Sequence, residues 1–226
     1  DTSGGEDEEP TENPNASKPR YIWIDAAANF PDFANSKENI ARDLALAKDA
    51  GFTDIVVDVR PTTGDVLFKT NLVDQVKFMY AWIGSNYTKV ERTATWDYLQ
   101  AFVDEARKQG LRIHAAINTF VGGNQIDGGT GLLYRDQSKA EWATQMNMQV
   151  GITSVMNTSE STKFFNPAHP EVQTFLCDLL KDLAGYDLDG IFLDRGRFLN
   201  LQADFSEESR KQFEEYMGGI RIQNYP

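Results

Sequence analysis

A single cysteine, Cys177, rules out any disulfide within the 226-residue chain. It lies in the run Phe175-Leu176-Cys177 and reads as a small buried hydrophobe rather than a nucleophile. Histidine is nearly as scarce. His114 and His169 stand far apart, with no carboxylate at metal-ligand spacing, so no zinc pattern is present and no metal is expected. Neither an EF-hand loop nor a P-loop can be found, and no cofactor is expected. No stretch approaches the ~20 apolar residues of a membrane span. Positive charge is also short: 22 Lys and Arg stand against 34 Asp and Glu, a net charge of −12. That balance excludes a nucleic-acid partner, which requires a basic face, and adsorption to an anionic membrane surface.

What remains is 41% hydrophobic and 25% charged, the composition of a globular domain with a real core. Residues 1–19 differ from the rest. They hold no large apolar side chain and carry six acids against Lys18, which is −5 of the −12 and leaves −7 for the body. Such a segment cannot bury enough surface to offset the entropy of ordering, so it reads as a flexible acidic tether. Its Gly, Ser, Pro and Asn content resembles the stretch that follows the lipidated cysteine of bacterial surface lipoproteins. That resemblance implies a secreted or outer-surface protein, held to the membrane, if at all, by a lipid anchor.

From residue 20 apolar runs alternate with helical patterns. Tyr21–Asp25, Thr53–Arg60, Leu111–Asn118 and Asp189–Asp194 read as strands. Between them, Ile40, Leu44 and Ala47 follow a Ser36 cap, and Gly51 ends that helix. Trp96, Leu99, Val103 and Ala106 mark a second helix. Val172, Phe175, Leu176, Leu179, Leu180 and Leu183, behind Pro170, mark a third. A fourth follows Ser206. Residues 119–169 form a long connection with a short helical candidate over Lys139–Gln149. Regular alternation predicts parallel strands with helical crossovers. A dinucleotide-binding sheet would open with a glycine-rich turn. Here Ala26-Ala27-Ala28-Asn29-Phe30 follows the first strand, which favours a (β/α) barrel of the TIM type. Eight units make a closed barrel. Only four are seen, so residues 20–226 read as an N-terminal half, the remaining half being expected from the rest of a longer chain.

Barrel chemistry gathers at the C-terminal ends of the strands. Those ends carry Asp25, Asp58 with Arg60, Asn118, and Asp194 with Arg195. Asp194 follows a fully apolar run and is the leading catalytic candidate, since partial desolvation raises a carboxyl pKa and suits it to acid catalysis. Arg195 or Arg197 beside it would instead keep it ionised. Asp189 precedes the same strand and reads as a turn residue. Arg60 either grips substrate or pairs with Asp25 or Asp58. His114, in phase with Asn118, is expected to face the interior. Rings in the connections, Phe30, Phe33, Tyr80, Trp82, Tyr87, Phe120, Tyr134 and Trp142, either pack under loops or stack on sugars. The glycines at 122–131 read as flexible turns around Asp127.

Five strings occur in one order: Tyr21-Ile22-Trp23-Ile24-Asp25, Val57-Asp58-Val59-Arg60-Pro61, His114-Ala115-Ala116-Ile117-Asn118, Phe165-Asn166-Pro167-Ala168-His169-Pro170-Glu171-Val172, and Asp189-Gly190-Ile191-Phe192-Leu193-Asp194-Arg195. Together they resemble the bacterial family 10 glycosyl-hydrolase-like domains, a TIM-barrel group, over residues 21 to about 200. The resemblance implies a sugar-processing barrel and marks Arg60, Asn118, Asn166 and Asp194 as mouth residues. This chain has Asp58 where a Gln is frequent, and Arg195 where some members carry a second acid. Glycosidic hydrolysis usually needs two carboxylates. The expectation is therefore a glycosidase acting on a poly- or oligosaccharide. Asp194, Asp25 and Asp58 are its catalytic candidates, and Arg60, Asn118, Asn166, Arg195, Trp23 and His114 its substrate-binding candidates. The alternative is a surface lipoprotein of the same fold that binds glycan without cleaving it.

Overall fold

A computed structural model describes residues 18–225. The expected tether therefore lies almost wholly outside the described residues. In chain order the elements are β1 (Tyr21–Ile24), α1 (Phe30–Phe33), α2 (Lys37–Asp49), β2 (Asp54–Arg60), β3 (Phe78–Ile83), β4 (Asn86–Glu91), α3 (Tyr98–Lys108), β5 (Arg112–Asn118), β6 (Val121–Asn124), α4 (Leu132–Arg135), β7 (Gln145–Met148), β8 (Gly151–Ser154), β9 (Thr162–Phe164), α5 (Pro170–Leu183), β10 (Gly190–Asp194) and α6 (Glu207–Tyr216).

The four strands expected from the sequence form one parallel sheet, in the order β1-β2-β5-β10. That order follows the chain without reversal. A doubly wound sheet reverses its order at a switch point and would set its fourth strand beside the first. The faces agree with the order. Ile24, Ile55, Val57, Val59, Ile113, Ala115 and Ile117 share one core with α2, α3 and α5. The opposite face carries Tyr21, Trp23, His114 and Phe192 as a touching aromatic group. Tyr21, Trp23 and Phe192 there remain 47%, 45% and 38% exposed. Helices thus cover one face only, as in a barrel wall. Among the described residues the sheet does not close, and β1 and β10 are its free edges.

Local chemistry sets the helices. Ser36, Asp97 and Ser206 accept from the backbone N–H three residues on, at 3.1 Å in each case. Pro170 opens α5, and His169 caps it by accepting from the N–H of Glu171. On α5 the residues Val172, Phe175, Leu176, Leu179 and Leu183 are buried, each contributing about 1.5–3 kcal/mol. Cys177 is exposed, contrary to the buried hydrophobe expected. It follows Leu176 by one residue, about 100° around the helix and off the apolar stripe.

The connections hold structure that periodicity did not reveal. β3 and β4 form an antiparallel hairpin. Its signal is present in the sequence: Phe78–Ile83 and Asn86–Glu91 flank the two-residue turn Gly84-Ser85, with Gly84 at φ +60°. β6 pairs with β9, and β7 with β8. The helix expected near Lys139–Gln149 is instead a short 3-10 turn followed by β7. Nor are all the glycines flexible turns. Gly122 packs so closely that a Cβ there would lie 2.5 Å from Leu133 and 2.7 Å from Phe165.

Candidate active site

At the C-terminal edge of the sheet, Trp23, Asp25, Asp58, Asn118, Asp194 and Arg195 line one cleft of about 110 Å³, with Ala27, Pro61, Thr62 and Met79. Strand register explains the convergence. Asp58 lies opposite Ala116, and Asp194 opposite Asn118, so alternate positions on neighbouring strands meet on the open face. Asp25 directly follows β1, where its Oδ1 accepts from the N–H of Ala28 at 2.7 Å. Arg195 sits at φ +48°, unusual for a residue with a side chain, and its N–H donates to Asp194 Oδ1 at 2.7 Å.

The three carboxylates differ in exposure. Asp25 and Asp194 are exposed, whereas Asp58 is buried. The desolvation expected of Asp194 thus falls on Asp58. Burial first, and then the negative charge of Asp25, push the Asp58 carboxyl up to about 7. N–H groups of Arg60 and Ala26 pull the other way, and Asp194 adds to the rise. Asp58 is therefore protonated over much of the range where ordinary carboxyls have ionised.

Three of the expected substrate-binding residues lie elsewhere. Arg60 is fully buried, and its guanidinium donates to the carbonyls of Asn118, Thr119 and Val121. The register between β2 and β5 shifts between Asp58 and Arg60, so Arg60 pairs with Ile117, a residue of the helix-side core. A shift of this kind redirects a side chain. Arg60 therefore neither reaches the cleft nor pairs with Asp25 or Asp58. Burial pulls its pKa down to about 10. Asn166 is buried under the later connection, donating to Ser206 Oγ at 2.9 Å and accepting from the N–H of Ala168. His114 faces the open side, as expected, but near the start of β5. Its Nε2 lies 2.8 Å from Asp54 Oδ1, at the end of the sheet away from the cleft. Asp189 is likewise structural, held by Arg107 and by the N–H of Ile113.

Sequence reasoning missed Thr62 and Met79, which come from the connection after β2 and from the hairpin. A strand-by-strand reading of Arg60-Pro61 as the end of the strand had no way to bring them in. A larger depression, about 740 Å³, lies around Lys69, Lys77, Arg92 and Trp96 and includes no strand-end acid. Among the described residues no group of three His, Cys, Asp or Glu side chains is placed to hold a metal ion.

Residues 18–219 match the glycosyl hydrolase-like 10 family. The chain belongs to that family. This glycosyl hydrolase-like domain is also 32% identical, over 213 residues and 91% of its length, to an S-layer-related protein of Niallia circulans. It spans only 13% of that relative. Among solved structures, it is similar to α-L-fucosidase isoenzyme 2 from Paenibacillus thiaminolyticus, with a TM-score of 0.58 and 18% identity over 92% of this chain and 27% of that one. A hypothetical protein from Ruminiclostridium thermocellum ATCC 27405 gives 0.53 at 15% identity, covering 88% of this chain and 89% of the other. At these identities the likeness concerns the fold of the domain.

Proposed function

We propose that this domain carries the carboxylate site of a glycosidase acting on a poly- or oligosaccharide. The observation behind it is the buried Asp58, its carboxyl pushed up to about 7, sharing one cleft with Asp25 and Asp194 at the strand ends. Hydrolysis needs a proton for the leaving oxygen and a second carboxylate to attack the anomeric carbon or to activate water. Asp58 supplies the proton, and Asp194 or Asp25 supplies the second carboxylate. Trp23, Asn118 and Arg195 border the sugar. A covered outer face and an open inner one support a barrel wall completed by strands outside this chain. Exposed Tyr21, Trp23 and Phe192 would become the interior of that barrel. The S-layer-related relative supports a place at the cell surface, and a lipid anchor remains our reading of the acidic start.

The same relative favours a second reading, a surface protein that binds glycan without cleaving it. One experiment separates the two. In the full-length protein, Asp58→Asn and Asp194→Asn should each lower polysaccharide cleavage by about 10²–10⁴-fold. Cleavage by the unaltered protein should fall as pH rises through about 7, because Asp58 must hold its proton. Undiminished cleavage in Asp58→Asn would remove the assignment. Glycan binding that survives both substitutions, with no turnover in the unaltered protein, would establish the second reading.

A further inference from the structure

The carboxylate cleft continues beyond the sheet. Ala27, Thr62 and Met79 line it and also line a second depression of about 340 Å³. One wall of that depression is the β3–β4 hairpin, through Phe78, Tyr80 and Tyr87. Asn124, Gln125 and Ser161 also line it. No residue lining it is charged.

The rings are placed for contact with something outside the fold. Tyr80 and Tyr87 stack at 5.4 Å and 29°, and Trp82 lies 5.2 Å from Tyr87. None of the three belongs to the hydrophobic core, and Tyr87 and Trp82 are 56% and 68% exposed. Rings serving only to pack a loop would be covered. They are also held in place. The Tyr80 hydroxyl donates to Asp127 Oδ1 at 2.9 Å, and the Lys89 ammonium lies 2.7 Å from Asp127 Oδ2 and 4.1 Å above the Phe78 ring. The hairpin is thereby fastened to the turn that carries Asp127, and Lys89 cancels its charge. A wall fixed in advance loses less entropy when ligand binds.

Aromatic rings, amides and a hydroxyl lining one depression, with no charged residue among them, match the chemistry of a neutral sugar. Its C–H face lies on a ring, and its hydroxyls exchange hydrogen bonds with Asn, Gln and Ser. We propose that the hairpin depression is a subsite for a neutral sugar unit, linked to the unit that occupies the aspartate cleft. The substrate is then a neutral chain of several units, and Tyr80 and Tyr87 set the length requirement. The direction of the chain rests on the glycosidase reading; the subsite itself does not.

The test is isothermal titration of the full-length protein with neutral gluco-, xylo-, manno- and N-acetylglucosamine oligosaccharides of one to six units, beside oligogalacturonides of the same lengths. At least one neutral series should bind more tightly as it lengthens. Tyr87→Ala and Tyr80→Ala should each weaken the longest member about tenfold and leave the monosaccharide unchanged. Tyr87→Phe should retain the gain, and thermal melts should match the unaltered protein. Binding of no neutral series, preference for the acidic series, or a length dependence indifferent to both alanine variants would overturn the subsite. Tyrosine-dependent binding in a protein that cleaves nothing would sustain the subsite and remove only the glycosidase reading.

Discussion

Two buried aspartates four residues apart on β2 have opposite surroundings. Asp54, at the start of the strand, accepts from Arg112 Nε and Nη2 at 2.8 Å, from Thr53 Oγ1 at 2.5 Å, and lies 2.8 Å from His114 Nε2. Burial alone would raise its pKa, but these bonds outweigh burial and hold it at about 2. Asp58, at the other end, is held by no salt bridge among the described residues and faces two more acids, so burial and Asp25 take it to about 7. Burial is common to both; the partners decide the direction. One end of the sheet is built as a closed ion pair, and at the other a carboxyl retains its proton to higher pH than usual. Such a division is how barrels separate stability at the bottom from chemistry at the top.

Arg60, the third buried charged group on β2, tests where the structural end stops. It lies two residues past Asp58 yet serves the fold. Arg60→Ala would strand the carbonyls of Asn118, Thr119 and Val121 and leave a void, costing about 3–5 kcal/mol. Urea denaturation measures this. A loss below about 1 kcal/mol would return Arg60 to the candidates for binding. The two aspartates should then respond with opposite signs. Between pH 4 and 7 the folded state holds a proton on Asp58 that the unfolded chain has released. Stability from this group therefore falls as pH rises across that window and stays low above it. Asp58→Asn should accordingly stabilise the fold at pH 8, by on the order of 3 kcal/mol, with the gain shrinking toward pH 4. For Asp54 the unfolded chain binds the proton first. Its stabilisation is complete above about pH 4 and is lost as pH falls toward 2. Asp54→Asn should cost about 2 kcal/mol at pH 7. Denaturation series at pH 5 and pH 8 read both variants, and equal signs at pH 8 would break the contrast.

Much of this layout was legible in sequence because it follows from periodicity. Alternating apolar runs and capped helices located all four parallel strands, and strand ends picked out Asp25, Asp58, Asn118 and Asp194. What failed depends on tertiary detail. Alternation aims Arg60 at the mouth, but a register shift, invisible in the sequence, moves it opposite Ile117. Asn166 and His114 are polar residues near strand or loop ends that find internal partners, and residue type alone does not separate these from ligands. The hairpin was different. Its turn, Gly84-Ser85, and its β-rich flanks are readable in the sequence, but they lie between two parallel strands, where alternation predicts a helix. Cys177 was also readable, since its place off the α5 stripe follows from counting.

The smallest effects lie within the aspartate cluster itself. Asp25 contributes more than Asp194 to the raised pKa of Asp58, and both contribute less than burial does. Asp25→Asn should therefore lower the Asp58 titration midpoint, and Asp194→Asn should lower it less, with neither returning it to the ordinary carboxylate range. Carboxyl-selective NMR of Asp58 in each variant provides the comparison. If Asp194→Asn shifted Asp58 more than Asp25→Asn did, Asp194 rather than Asp25 would be its closer electrostatic partner. If neither shifted it, the raised pKa of Asp58 would come from burial alone, and Asp58 would belong with the structural groups of the strand rather than with an acid pair.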